Sequence, residues 1–185
     1  FLFILFGALL EKTGIGQFFI DICNSIAGGA SGGPAKVAVL TSALLGTVSG
    51  SSVSNTVGSG SFTIPMMKKL GYKGEFAGAV EAAASTGGQL MPPIMGAAAF
   101  LMAESLGLPY VTIVKAAVVP ALLYFTGIFL TVHLEAHKLG LKGLPREQLP
   151  AFLPLFLKQG YMLLPLVVII LFLCMGKTAV FAALM

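Results

Sequence analysis

The sequence predicts an all-α, polytopic membrane chain organised around a re-entrant helical hairpin and a broken transmembrane helix. Three observations carry that expectation. The 185 residues are 57% apolar and only 10% charged, with mean hydropathy +0.96, a balance outside the range of soluble globular domains. Lys36, Lys68, Lys69, Lys73, Lys138, Lys142, Arg146 and Lys158 stand at segment ends or in loops, with long uncharged stretches between them. Two short polar or breaker-rich segments, Ser49 to Asn55 and Gly87 to Pro93, interrupt otherwise apolar helical sequence. Backbone that is not helical is tolerated at membrane depth only when buried in protein or lining a wet cavity.

The formal charge of +4 reads as an orientation signal for a lipid bilayer, and no nucleic-acid partner is expected. Cys23 and Cys174 stand apart with no CxxC or histidine partner nearby, so neither a disulfide framework nor a metal site is expected.

Residues 1–33 read as lead-in scaffold helices. Phe1 to Leu10 is too short to cross about 30 Å of hydrocarbon, and Glu11, Lys12, Thr13 and Gly14 close it. The chain opens inside this apolar run, ends inside another from Val180, and shows no signal-peptide pattern. A fragment cut through a helix at each end is expected. Ile15 to Ala27 makes a second helix whose Gln17, Asp21 and Asn24 share one face, and that face is expected to look into protein.

Residues 34–72 form the expected hairpin. Pro34 suits the first position of a helix after GGASGG. The arm to Val48 reaches about 22 Å at 1.5 Å per residue, less than a crossing. Ser49, Gly50, Ser51, Ser52, Val53, Ser54 and Asn55 form the tip, and a second arm returns to Lys68 and Lys69. A re-entrant path puts Lys36 and these two lysines on one side, the cytoplasmic one by the positive-inside rule. Gly46 and Gly50 also fit plain close helix packing.

Residues 73–106 form the broken helix. Its two prolines remove two backbone donors and its glycine pair permits unwinding, freeing carbonyls. The helix is expected to resume at Ile94. Residues 107–140 give a turn and a return span, with the regular apolar stretch expected from Val111 to about Val132. Residues 141–160 read as a cytoplasmic or interfacial segment, and 161–185 as a last span and the start of another.

Hydroxyls and carbonyls without fixed charge suit a hard monovalent cation such as sodium, whereas zinc would want His or Cys. The tip supplies Ser49, Ser51, Ser52, Ser54 and Asn55; the break supplies carbonyls around Gly88, Met91 and Pro92 and side-chain oxygens from Thr86 and Gln89. Helix N-terminal ends, expected near Ile94 and near Ser59 to Thr63, favour an anionic group. Glu81 is expected either in a structural ion pair or beside the cation site, and Glu104 at the interface. His133, Glu135 and His137 do not form HExxH and read as a helix end. No base stands in sequence near Ser49 to Ser54, which counts against an enzyme with a serine nucleophile. An unrelated sodium-coupled carboxylate or ion exchanger with inverted hairpins, or a purely structural membrane segment, also competes with this picture; the structural segment would leave the polar tip unexplained.

From Gly32 to Glu104, GGPAKVAVLTSALLGTVSGSSVSNTVGSGSFTIPMMKKLGYKGEFAGAVEAAASTGGQLMPPIMGAAAFLMAE closely resembles the large membrane component of tripartite ATP-independent periplasmic (TRAP) transporters. VVPALLYFTGIFLTVHLEAHKLGLKGLPREQLP looks like the branch in which small and large membrane subunits are fused. The resemblance implies half of an inverted-repeat transporter in a bacterial or archaeal cytoplasmic membrane, with an elevator movement and sodium as coupling ion in place of any cofactor. It implies an organic-anion substrate, a carboxylate, delivered by an extracytoplasmic solute-binding protein of the TAXI type, and a small membrane subunit. By matching motif, the sodium ligands are Ser49, Ser51, Ser52, Asn55, Gly88, Met91 and Pro92. Ser54, Asn55, Thr86, Gln89 and Pro93 are expected as substrate contacts.

Overall fold

The computed structural model describes residues 2–145, 149–175 and 181, and every regular element among them is helical. In chain order these are α1 (Leu2–Lys12), α2 (Ile15–Ala27), α3 (Gly33–Ser49), α4 (Ser52–Leu70), α5 (Gly74–Gly88), α6 (Ala97–Leu106), α7 (Tyr110–Lys138), α8 (Phe152–Gln159) and α9 (Leu164–Cys174), with a 3-10 turn Gly160–Leu163 between the last two. Arg146 and, Phe181 apart, the expected further span from Val180 onward lie outside the described residues, as does the side chain of Cys174.

Helix α3 is the hub. Small and β-branched residues cover it on every side, and Ala35, Val37, Ala38, Val39, Leu45 and Val48 are all buried. A helix apolar all round is one enclosed by others, and α3 packs against α1, α2, α4, α5 and α7. One core joins Ala35, Ala38 and Val39 to Met67 of α4, to Ala77, Val80 and Ala84 of α5, and to Phe125, Val132 and Ala136 of α7. Alanines at these crossings let backbones approach closely. A second core sets Leu45 and Val48 against Leu10, Ile15, Phe18 and Phe19, with Leu155, Leu163 and Leu166 behind them.

The structure refines four expectations. The polar face of α2 looks inward only in part: Asn24 is half-buried with its Oδ1 out of reach of solvent, but Gln17 is exposed and donates to Asp21 Oδ1 at 2.9 Å, while Ile15, Phe18, Phe19 and Cys23 fill the buried side. Apolar burial decides the rotation of the helix, and the polar pair satisfies itself along its own surface. Lys36 is not an exposed end marker but 5% exposed, its ammonium 5.5 Å from the centre of the Phe129 ring, a cation–π contact. Helix α7 takes in the expected helix end at His133 to His137 and stops at Lys138, ahead of Gly140, whose φ of 64° takes the left-handed turn after the helix. At the far end the stretch Phe152 to Leu157 ahead of the last span is itself helical, and Pro165, lacking an N–H, sits at the start of α9 where the 3-10 turn gives way.

Helix α7 and the stretch Phe152–Leu173 are each long and apolar enough to cross a membrane. Leu122, Leu123, Leu130, Leu134, Leu153, Leu157, Leu164 and Leu171 are exposed along them, as suits surfaces solvated by lipid.

Candidate functional site

Helices α3 and α4 are joined by Gly50 and Ser51 alone and run back along each other. The expected seven-residue tip is therefore shorter, since Ser52, Ser54 and Asn55 already lie in the first turn of α4. Two local features explain this. Gly50 takes φ 59°, a left-handed cap, and its N–H reaches Gly46 O at 3.2 Å. Ser51 is the N-cap, its Oγ accepting from Ser54 N at 3.3 Å. The positive end of α4 thus stands at Ser52, and Ser59 to Thr63 is mid-helix.

Helix α5 ends at Gly88, and helical structure resumes at Ala97 rather than at Ile94. The two prolines carry no N–H, and Gly96 folds the link back by donating to Gln89 O at 2.8 Å. Ile94 and Met95 are buried in this link. Tyr110 Oη lies 2.8 Å from Pro93 O and 3.0 Å from Ile94 O, so one hydroxyl proton serves two carbonyls of the break. Tyr110→Phe is expected to lower stability by about 1 kcal/mol and to speed hydrogen exchange at the Met95 and Gly96 amides; unchanged exchange there would show that the tether is not needed.

The tip and the break meet through backbone and side chain together. A Cβ on Gly46 would overlap the Cα of Gly88, and one on Gly50 would overlap Met95 O. The packing expected of Gly46 and Gly50 is therefore real, but it joins α3 to the broken helix rather than to α4. Gln89 Nε2 donates to Ser52 Oγ at 2.7 Å. Asn55, 1% exposed, donates through Nδ2 to Ser42 O at 2.8 Å, and a Cβ on Gly88 would stand 2.8 Å from that nitrogen. Ser49 is buried, its Oγ accepting from Ser51 N at 3.4 Å. On the other side, Gly88 O accepts from Met91 N at 3.2 Å and Met91 O from Met95 N at 3.3 Å, which leaves each carbonyl a second lone pair.

Ser52 and Asn55 are thus brought to Gln89 and Gly88. Three other expected contacts are not gathered there. Thr86 is exposed and donates to Ala82 O of its own helix at 2.8 Å; Ser54 lines a cavity of about 240 Å³ with Gln17, Ile20 and Phe62 on the α2 side; and the Pro93 carbonyl is turned to Tyr110.

The sequence reading missed the hydroxyls behind the tip. Glu81, 0% exposed, is in no ion pair among the described residues. Instead Thr63 Oγ1 donates to its Oε2 at 2.5 Å, while Ser42 and Ser85 hydroxyls each lie 3.2 Å from Oε1 and Ser59 Oγ makes a still shorter bond to the same oxygen. The Glu81 carboxyl is thus enclosed by hydroxyls from α3, α4 and α5. The signal was present as four-residue spacing, Asn55, Ser59 and Thr63 on one face of α4 and Glu81 and Ser85 on one face of α5. Glu104, by contrast, is exposed.

A family model described as "Tripartite ATP-independent periplasmic transporter, DctM component" matches residues 1–185. The chain belongs to this family. The family is one of multi-pass inner-membrane transport proteins, and that family points to a transporter rather than an enzyme. The chain is 32% identical over 170 residues to a C4-dicarboxylate TRAP transporter large permease of Pseudomonas aeruginosa, covering 91% of this chain and 39% of that protein. It is 26% identical over 171 residues to the sialic acid TRAP transporter large permease of Vibrio cholerae, covering 90% and 39%. To the 2,3-diketo-L-gulonate TRAP transporter large permease of Escherichia coli it is 27% identical over 147 residues, covering 79% and 33%. It therefore spans about two fifths or less of these relatives.

Proposed function

We infer that the chain is one half of the transport unit of a sodium-coupled organic-anion permease. In this reading α3 and α4 form a re-entrant hairpin, the first of two in an inverted repeat, and the unit moves as an elevator against a scaffold. The observation that carries it is the junction of tip and break, where Gly46 lies against Gly88, Ser52 bonds Gln89 and Asn55 packs over Gly88.

The donor set fits sodium: Ser49, Ser51, Ser52 and Asn55 offer neutral oxygens, and Gly88, Met91 and Pro92 offer carbonyls with a free lone pair. Bound there, sodium would supply a coupling charge. The chain's own residues hold the tip against the break and keep lipid out. Gln89, exposed beside Ser52, and the N-terminal ends of α4 and α6 favour an anionic group at the mouth. The relatives' names point to carboxylates and other acids as the substrate class, and the fused-subunit, TAXI-delivered arrangement follows the resemblance of residues 118–150.

Uptake by the full-length permease in proteoliposomes, with its solute-binding protein and small subunit, tests this. Uptake should require an inward sodium gradient; Ser52→Ala should weaken sodium activation by about tenfold, on the order of one lost ligand, and Pro92→Ala, which keeps its carbonyl but returns an N–H that lets the break rewind, should weaken it as well, with expression maintained. Sodium activation unchanged in both variants would remove the site assignment, and uptake without the binding protein would favour an exchanger.

A further inference from the structure

We propose that Glu81 is the counter-charge of the cation site, supplying from one layer behind the tip the negative charge that the site's own ligands lack. The proposal rests on the sodium reading above.

Among the described residues, the groups shown meeting at the junction, Ser49, Ser52, Asn55, Gly88 and Gln89, are neutral, whereas a cation removed from water needs a compensating charge nearby. Behind the junction stands one fully buried carboxylate. Its links to the junction are direct. Ser42 donates through its hydroxyl to Glu81 Oε1 at 3.2 Å, and its carbonyl takes the Asn55 amide at 2.8 Å. Ser59 Oγ has a single proton and four acceptors in reach: Glu81 Oε1, Asn55 O at 2.8 Å, Asn55 Oδ1 at 3.3 Å and Ser42 Oγ at 3.4 Å. Glu81 and Asn55 therefore compete for one donor, and a change of charge at either is felt by the other.

A hydrogen-bonded cage suits a remote charge better than a direct ligand would. Four hydroxyls from three helices hold the carboxylate, so it need not be stripped of partners when a cation arrives or leaves. No lysine or arginine pairs with it among the described residues, so its field is not spent locally. In an effective dielectric of about 20, one unit charge a single side-chain layer away alters cation affinity by on the order of tenfold.

The measurement is sodium-dependent thermal stabilisation of the purified full-length permease, titrated at constant ionic strength with choline. Glu81→Gln keeps the shape and loses the charge, and should raise the half-saturating sodium concentration about tenfold. Asn55→Asp in the Glu81→Gln background returns a charge to the junction and should recover most of that loss, which no purely structural role of Glu81 explains. An unchanged half-saturation in Glu81→Gln, or no recovery in the double variant, would overturn the proposal. Should Glu81→Gln not fold, Asn55→Asp alone decides: with Glu81 ionised behind it the site holds two negative charges, and calcium should compete with sodium. Absence of calcium competition would equally sink the idea. If the native protein shows no sodium dependence at all, the sodium reading itself fails and the counter-charge fails with it.

Discussion

Gly46→Ala should be a severely damaging substitution although it adds a single methyl. In an ordinary exposed helix, replacing glycine by alanine stabilises by about 0.5–1 kcal/mol through the unfolded state. At Gly46 the new Cβ would overlap the Cα of Gly88 and press on its carbonyl. The obstacle is backbone, which cannot rotate away as a side chain can, so α3 and α5 must separate. Overpacking of this kind costs about 3 kcal/mol, and the separation opens the junction that unites tip and break. The expected result is a melting temperature lowered by several degrees and loss of nearly all transport. Gly58→Ala is the matched control: Gly58 lies in α4 with nothing within 4 Å of an added Cβ, and it should melt no lower than the native protein. Equal behaviour of the two variants would show that the α3–α5 approach is not essential.

The same pair of helices shows where sequence was legible and where it was not. Bounds of α2 and the interruption at 87–93 were readable because Gly14, the glycines after Ala27 and the prolines act locally, through dihedral freedom and missing donors. Local signals also placed α3 after Pro34. The rotation of α2 was not readable, since Gln17, Asp21 and Asn24 form an equally consistent stripe whether they face protein or not; only the apolar partners on α3 decide it. The burial of Lys36 was not readable for a related reason. A lysine near a helix end ordinarily marks an interface, and the Phe129 ring that shelters it is contributed by a helix more than 90 residues away in sequence.

The junction itself was half legible. A run of serines next to Gly-Gly and Pro-Pro announces irregular backbone, and the structure brings Ser52 and Asn55 to the break. Which side chains turn inward depends on where α4 begins, and capping by Ser51 starts that helix four residues earlier than a fully unwound tip through Asn55 would allow. That register sends Ser54 toward α2 and Asn55 toward Gly88. It also points Ser59 and Thr63 at Glu81, a partner that neither α4 nor α5 reveals alone.

Thr63→Val should be the second large effect, and it isolates the charge at Glu81 from mere packing. Valine matches threonine in shape, so the cavity change is small, but Glu81 Oε2 loses the hydroxyl that bonds it at 2.5 Å. A hydrogen bond to a charged group contributes about 1.5–3 kcal/mol, and leaving a buried acceptor unmet costs toward the upper end. The substitution should therefore destabilise the full-length permease by about 2–3 kcal/mol, read as a fall in melting temperature in detergent. In a Glu81→Gln background the acceptor is neutral and its amide can donate as well as accept, so the same Thr63→Val change should cost about 1 kcal/mol or less. The coupling obtained from this cycle, on the order of 1–2 kcal/mol, measures how strongly the three-helix cage is organised around a charge. A cycle that closes with no coupling would mean that the hydroxyls pack against Glu81 without responding to its ionisation, and the polar stripe on α4 would then be a packing feature of the hairpin arms.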